Sequence, residues 1–141
     1  MLTLVMFLVA QGLQGVLPTI NVFPGVDSIV EGGTAYFRFT SDQATGVNVR
    51  YQSIGAAQPR MDFSDVGLTN GVQIPVGALS QTNRIFTHND SDVEALETVT
   101  LRILPNPNYL VGPTNQATLH IVDNDFASSN RPPAVFFSVD D

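Results

Sequence analysis

The chain has no cysteine and no lysine. Without Cys there is no disulfide, no thiolate nucleophile and no zinc–thiolate site. The redox character of its compartment is left open. All six basic residues are Arg, against thirteen Asp and Glu, for a net charge of −7. A basic patch able to hold phosphates is not expected, which argues against nucleic acid and against attraction to an anionic membrane surface. No apolar run reaches the roughly 20 residues that cross a bilayer. Residues 2–10 are apolar but short. They read either as the h-region of a signal peptide, without its usual basic n-region, or as a buried strand or the tail of a preceding domain. No stretch has sustained helical periodicity.

What is present is period-two alternation. Ala35, Phe37 and Phe39 alternate with Tyr36, Arg38 and Thr40. Val47, Val49 and Tyr51 alternate with Asn48 and Arg50. Val99, Leu101 and Ile103, and then Ala117, Leu119 and Ile121, do the same against polar partners. Gly and Pro punctuate the gaps. Strands are expected near 18–30 (broken at Pro24-Gly25), 34–40, 46–54, 71–76, 82–88, 96–104 and 115–122. Pro75 marks 71–76 as an edge strand. About seven short strands with one apolar face each read as an all-β, immunoglobulin-like antiparallel β-sandwich. Tyr36, Phe37, Phe39, Phe63 and Phe86 are expected in the core. His120 is expected on a solvated face, and His88 at a strand end.

Eight of the thirteen acids fall in four short segments: Glu31; Asp62; Asp90, Asp92, Glu94 and Glu97; and Asp123 with Asp125. Successive strands of an antiparallel sandwich run up and down between two ends. All four segments then arrive at the same pole. Carboxylates about 4 Å apart repel by roughly 4 kcal/mol per pair at an effective dielectric near 20. Gathering several of them calls for a cation, and hard oxygen ligands without Cys point to Ca²⁺. The bland reading is that Asp and Asn are common turn residues that satisfy local backbone groups. A catalytic carboxylate pair at Glu94 and Glu97 would need a pocket and a raised pKa, and the sequence signals neither. His88 and His120 have no nucleophile arranged beside them.

In order along the chain stand Val30-Glu31-Gly32-Gly33, Val49-Arg50-Tyr51 with Gly55-Ala56-Ala57 and Met61-Asp62-Phe63, the run from Asn89 through Asp90, Glu94 and Glu97, and Ala117-Thr118-Leu119-His120-Ile121-Val122-Asp123-Asn124-Asp125. Together they resemble the Calx-β domain over about 18–126. That module occurs in sodium–calcium exchangers, an integrin β subunit and large extracellular repeat proteins. The resemblance implies calcium ligands at Glu31, Asp62, Asn89, Asp90, Glu94, Glu97, Asp123, Asn124 and Asp125. Asn89 and Asn124 stand where strong binders of the family have Asp. Each removes a charge, and calcium affinity follows ligand charge, so fewer or weaker ions are expected.

The expected division is an apolar leader at 1–16, a Calx-β domain at 17–126, and a linker with the start of a further repeat at 127–141. The expected function is a non-enzymatic calcium-binding module that stiffens a repeat array in a secreted or cell-surface adhesion or communication protein. Its partners would be neighbouring repeats of the same parent protein and other cell-surface proteins, with no nucleic acid and no membrane insertion by the domain. The alternative is a structural or adhesive sandwich repeat with a degenerate, metal-free site.

Overall fold

The computed structural model describes residues 15–65 and 71–125. The leader up to residue 14 and the linker and repeat start from 126 lie outside the described residues. Ten strands form two five-stranded sheets. They are β1 (Thr19–Pro24), β2 (Ser28–Val30), β3 (Thr34–Ser41), β4 (Thr45–Ile54), β5 (Phe63–Asp65), β6 (Gly71–Val76), β7 (Ser80–Thr87), β8 (Glu97–Ile103), β9 (Leu110–Val111) and β10 (Gln116–Val122). One sheet has the order β5-β7-β3-β1-β9 and the other β2-β10-β8-β4-β6. The fold is a β-sandwich, as expected, but with ten strands rather than seven. The difference has one cause. Three passages of the chain each change sheets midway, giving β1 then β2, β5 then β6, and β9 then β10. Parallel pairing of β9 on β1 and of β2 on β10 follows from that switching. The number of up-and-down passages stays at seven, so the direction argument survives the recount.

The alternating positions fill the space between the sheets. Ile20, Val22, Phe37, Phe39, Val49, Tyr51, Ile74, Ile85, Val99, Leu101, Leu119 and Ile121 are all buried. Burying each such side chain contributes about 1.5–3 kcal/mol. Polar groups inside are paired: the Asn83 amide on β7 donates across the core to the Tyr51 hydroxyl on β4. Tyr109 is also buried, and its hydroxyl donates to the Leu104 carbonyl at 2.6 Å and accepts from the Arg50 amide at 3.1 Å. That ties the segment before β9 to β4.

Pro75 lies in β6, which is an edge strand. Two aromatic expectations are corrected. Tyr36 and Phe86 are exposed, at 45% and 37%, not core residues. Each sits at an outward position of an alternating strand, and strand parity outweighs side-chain hydrophobicity. His120 is also corrected: it is half-buried, and its Nδ1 is shielded without a hydrogen-bond partner. It sits between two neighbouring strands, in register with Thr98 of β8 and Ser28 of β2.

Candidate metal centre

Strands β2, β4, β7 and β10 all run toward the same pole, and each delivers an acidic segment there. Glu31 follows β2. Its amide donates to the Val122 carbonyl at 3.1 Å, setting it beside the exit of β10. Gly32 takes a left-handed φ of 73°, which turns the chain directly into β3. Asp62 lies in the turn between β4 and β5. Its carboxylate accepts from the Gln58 amide at 2.5 Å, and its carbonyl accepts from the His88 amide at 2.8 Å. Arg60 in the same turn has φ of 75°, uncommon for a residue with a side chain. The segment 88–96 links β7 to β8, and Glu97 opens β8, paired with Ile121.

The pole is closed by a few fixed bonds. The Thr87 hydroxyl accepts from the Gly33 amide at 2.9 Å and lies 3.2 Å from the Val30 and Gly33 carbonyls. Asp123 accepts from the Glu94 amide at 2.7 Å and from the Asp125 amide at 2.6 Å. It therefore ties the 88–96 segment to the chain leaving β10. Asp90 accepts from the Asp92 amide at 2.8 Å. His88 does not face the acids. Its ring nitrogens lie 2.6 Å from the Met61 carbonyl and 3.3 Å from the Ser64 hydroxyl, so it braces the turn that carries Asp62.

The carboxylates gather into two triads, Glu31 with Asp90 and Asp125, and Asp62 with Glu94 and Glu97. Within each, one oxygen per residue lies within 4.8 Å of the others. Glu94 also bears on Glu31 electrostatically, so the two triads are coupled. Of the expected carboxylate ligands, Asp123 falls outside both triads. The Asn124 amide donates to the Asn89 side-chain oxygen at 2.6 Å, and the Asn89 amide donates to the Asp90 carbonyl at 3.1 Å. Asp92, which the sequence placed in the same run, is exposed.

Electrostatics at the pole are one-sided. Partial burial, then Asp62 and Glu94, push Glu97 up to about 7. Burial and then Asp123, Glu94, Asp90 and Asp125 raise Glu31. Burial and then Asp62, Asp90 and Asp123 raise Glu94. Among the described residues, no guanidinium is a leading influence on these three groups. The raised Glu97 was not legible in the sequence, because it arises from neighbours remote along the chain. Burial is the largest cause and the neighbouring carboxylates add to it, a repulsion that a cation relieves.

Three shielded carboxylate oxygens, Glu31 Oε2, Glu97 Oε2 and Asp125 Oδ2, have no hydrogen-bond partner. A buried polar oxygen left unpaired is costly, and a buried charge more so. These orphaned oxygens belong to both triads and have the chemistry of hard-cation ligands. The residues present therefore fit calcium.

No family profile matches the chain, and no curated protein matches it by sequence. Solved structures do. CBD12 from CALX1.2 aligns with a TM-score of 0.62 at 21% identity, over 76% of this chain and 44% of that one. The apo-form Calx CBD1 domain aligns at 0.56 and 22%, over 75% of this chain and 98% of that one. The calcium binding domain CBD12 of CALX1.1 aligns at 0.58 and 23%, over 74% and 45%. The chain thus spans less than half of either CBD12 chain and matches nearly the whole of CBD1. The resemblance read from the sequence is met at the level of architecture: the chain has the fold of the Calx calcium-binding domains.

Proposed function

We propose that this domain is a non-enzymatic calcium-binding module with two cation positions, one at Glu31, Asp90 and Asp125 and one at Asp62, Glu94 and Glu97. The observation that carries the reading is the pair of triads with orphaned, shielded oxygens. Calcium takes 6–8 oxygens, and three carboxylates with backbone carbonyls and water supply them. The ion would offset the repulsion among the acids and draw the 88–96 segment against the exit of β10. Asp123 would hold the backbone of both segments rather than depend on the metal for its place. The similarity to structures described as calcium-binding domains supports the choice of ion.

In this reading the bound state stiffens the pole from which residue 126 onward departs. The domain would then act as a calcium-dependent joint in a repeat array, in a secreted or cell-surface protein of adhesion or communication. Isothermal titration with calcium, against magnesium, tests the binding step. Calcium-specific heat that disappears in Asp90→Ala and in Glu97→Gln supports it, and absence of heat in the unmodified domain rejects it.

One observation favours the metal-free alternative. The Asn89–Asn124 bond already links the 88–96 segment to the β10 exit without a charge. A domain latched in this way would serve as a structural repeat whether or not calcium is present.

A further inference from the structure

The outer face of the first sheet carries a second surface with no part in the acidic pole. β3 and β7 alternate strictly, so Tyr36, Arg38, Arg84 and Phe86 point outward. Register places Arg84 opposite Tyr36, Phe86 opposite Thr34, and Arg38 opposite Phe23 of β1. The result is a diagonal stripe of three rings and two guanidiniums. Tyr36 rests on Gly25, where a Cβ would sit 2.5 Å from its ring. The ring is thus backed on one side and 45% exposed overall. Arg38 lies 5.9 Å from the centroid of the Phe23 ring. Among the described residues neither Arg38 nor Arg84 forms an ion pair. β1, β3 and β7 contain no Asp or Glu. Thr34, Ser80 and Thr82 add exposed hydroxyls to the same face. In a chain of net charge −7, this face is cationic.

We infer that this face binds an acidic polysaccharide, a chain of uronate sugars. The sheet's backbone groups are paired within it, so recognition here falls to side chains and not to strand addition, which is the usual way to capture an extended peptide. Flat exposed rings suit the C–H faces of pyranoses. Guanidinium forks suit carboxylates, bidentately. Arg38 and Arg84 are diagonal neighbours, about 7–8 Å apart at the backbone, so they engage two separate anionic groups. Hydroxyls between them suit sugar hydroxyls. Two guanidiniums are too few for nucleic acid or an anionic membrane, which need a broad basic surface. The acidic pole does not cancel the site. Arg84 lies four residues from His88, about 14 Å along a strand, beyond the Debye length of about 8 Å at physiological salt.

The test is affinity electrophoresis and titration with polygalacturonate as probe, dextran as the neutral control, and chelator throughout so that no metal bridges the polymer to the acidic pole. Retardation by polygalacturonate and not by dextran is expected. It should fall at least tenfold in Arg38→Gln/Arg84→Gln and in Tyr36→Ala, with thermal melts showing the fold retained, and stay unchanged in Arg102→Gln, on β8 of the other sheet. No retardation, retention of binding in the double variant, or equal binding to dextran would overturn the proposal. So would equal competition by anionic vesicles or poly-glutamate, which would show a general polyanion surface. The site shares no residue with the calcium triads, so either proposal stands or falls alone.

Discussion

Replacing Glu97 with Gln should stabilise the domain in chelator and weaken it in calcium. Glu97 and Asp62 bring carboxylate oxygens within 4.8 Å of each other. Two full charges at that distance repel by about 3.5 kcal/mol at an effective dielectric near 20. Both groups are partly exposed, so solvent screening reduces this to about 1 kcal/mol. For a domain of this size that is a rise in melting temperature of about 4 °C. The effect must depend on pH. Glu97 is raised from 4.5 to about 7, so the folded state holds its proton more tightly than the unfolded one. The stability this contributes is fully present below about 4.5 and is lost as pH rises through about 7. Gln imitates the protonated form. The gain from Glu97→Gln should therefore be full at pH 8 and absent at pH 5. In millimolar calcium the sign reverses, because the variant lacks a ligand. Melts at pH 5 and pH 8, in chelator and in calcium, measure all four cases. A variant less stable in chelator at pH 8, or equally altered at both pH values, would refute the electrostatic account.

Other consequences follow from single residues. Calcium affinity should weaken about tenfold between pH 8 and pH 6, because a proton on Glu97 with a pKa of about 7 competes with the ion; titrations at the two values check it. Tyr109→Phe leaves the Arg50 amide and the Leu104 carbonyl without the hydroxyl and should cost about 1–3 kcal/mol in denaturant melts. Gly55→Ala should destabilise by about 2 kcal/mol or more, since φ is 137° and a Cβ would collide with the Thr98 carbonyl. Phe37→Ala removes a fully buried ring and should cost about 3–5 kcal/mol without changing the calcium response of whatever fraction remains folded.

The convergence of the acids was legible because it depends only on direction. Glu31, Asp62, Asp90 and Asp123 each follow a passage that runs toward one end, and that count is unaffected when a passage changes sheets. The changes themselves were only partly visible. Pro24-Gly25 marks the first. Nothing in the alternation separates β9 from β10 as members of different sheets, because Val111 and Ala117, Leu119 and Ile121 share one inward parity. Tyr36 and Phe86 lie outside the core because their position between inward neighbours outweighs their hydrophobicity.

Within the site, residue type identified the triads' members but not their grouping. Asp123 looks like any ligand in sequence, yet its oxygens accept from the Glu94 and Asp125 amides. Asn89 and Asn124 are joined by a hydrogen bond that no motif in the sequence signals. Their bond joins residues 35 apart in sequence and depends on how the 88–96 segment folds over the β10 exit. The raised pKa of Glu97 comes from Asp62 and Glu94 as well as from burial, and only the packed pole brings Asp62 near.

The most direct test of the central claim is a thermal melt in excess chelator followed by a calcium titration, with magnesium alongside. Calcium at 100 times its dissociation constant should add about 2.7 kcal/mol, about 10 °C for this domain. The account predicts that rise for calcium and not for magnesium, with its loss in Asp90→Ala. Identical melting temperatures in chelator and in millimolar calcium would contradict it, and would leave the Asn89–Asn124 bond and the Asp123 bonds to the Glu94 and Asp125 amides to hold the pole together.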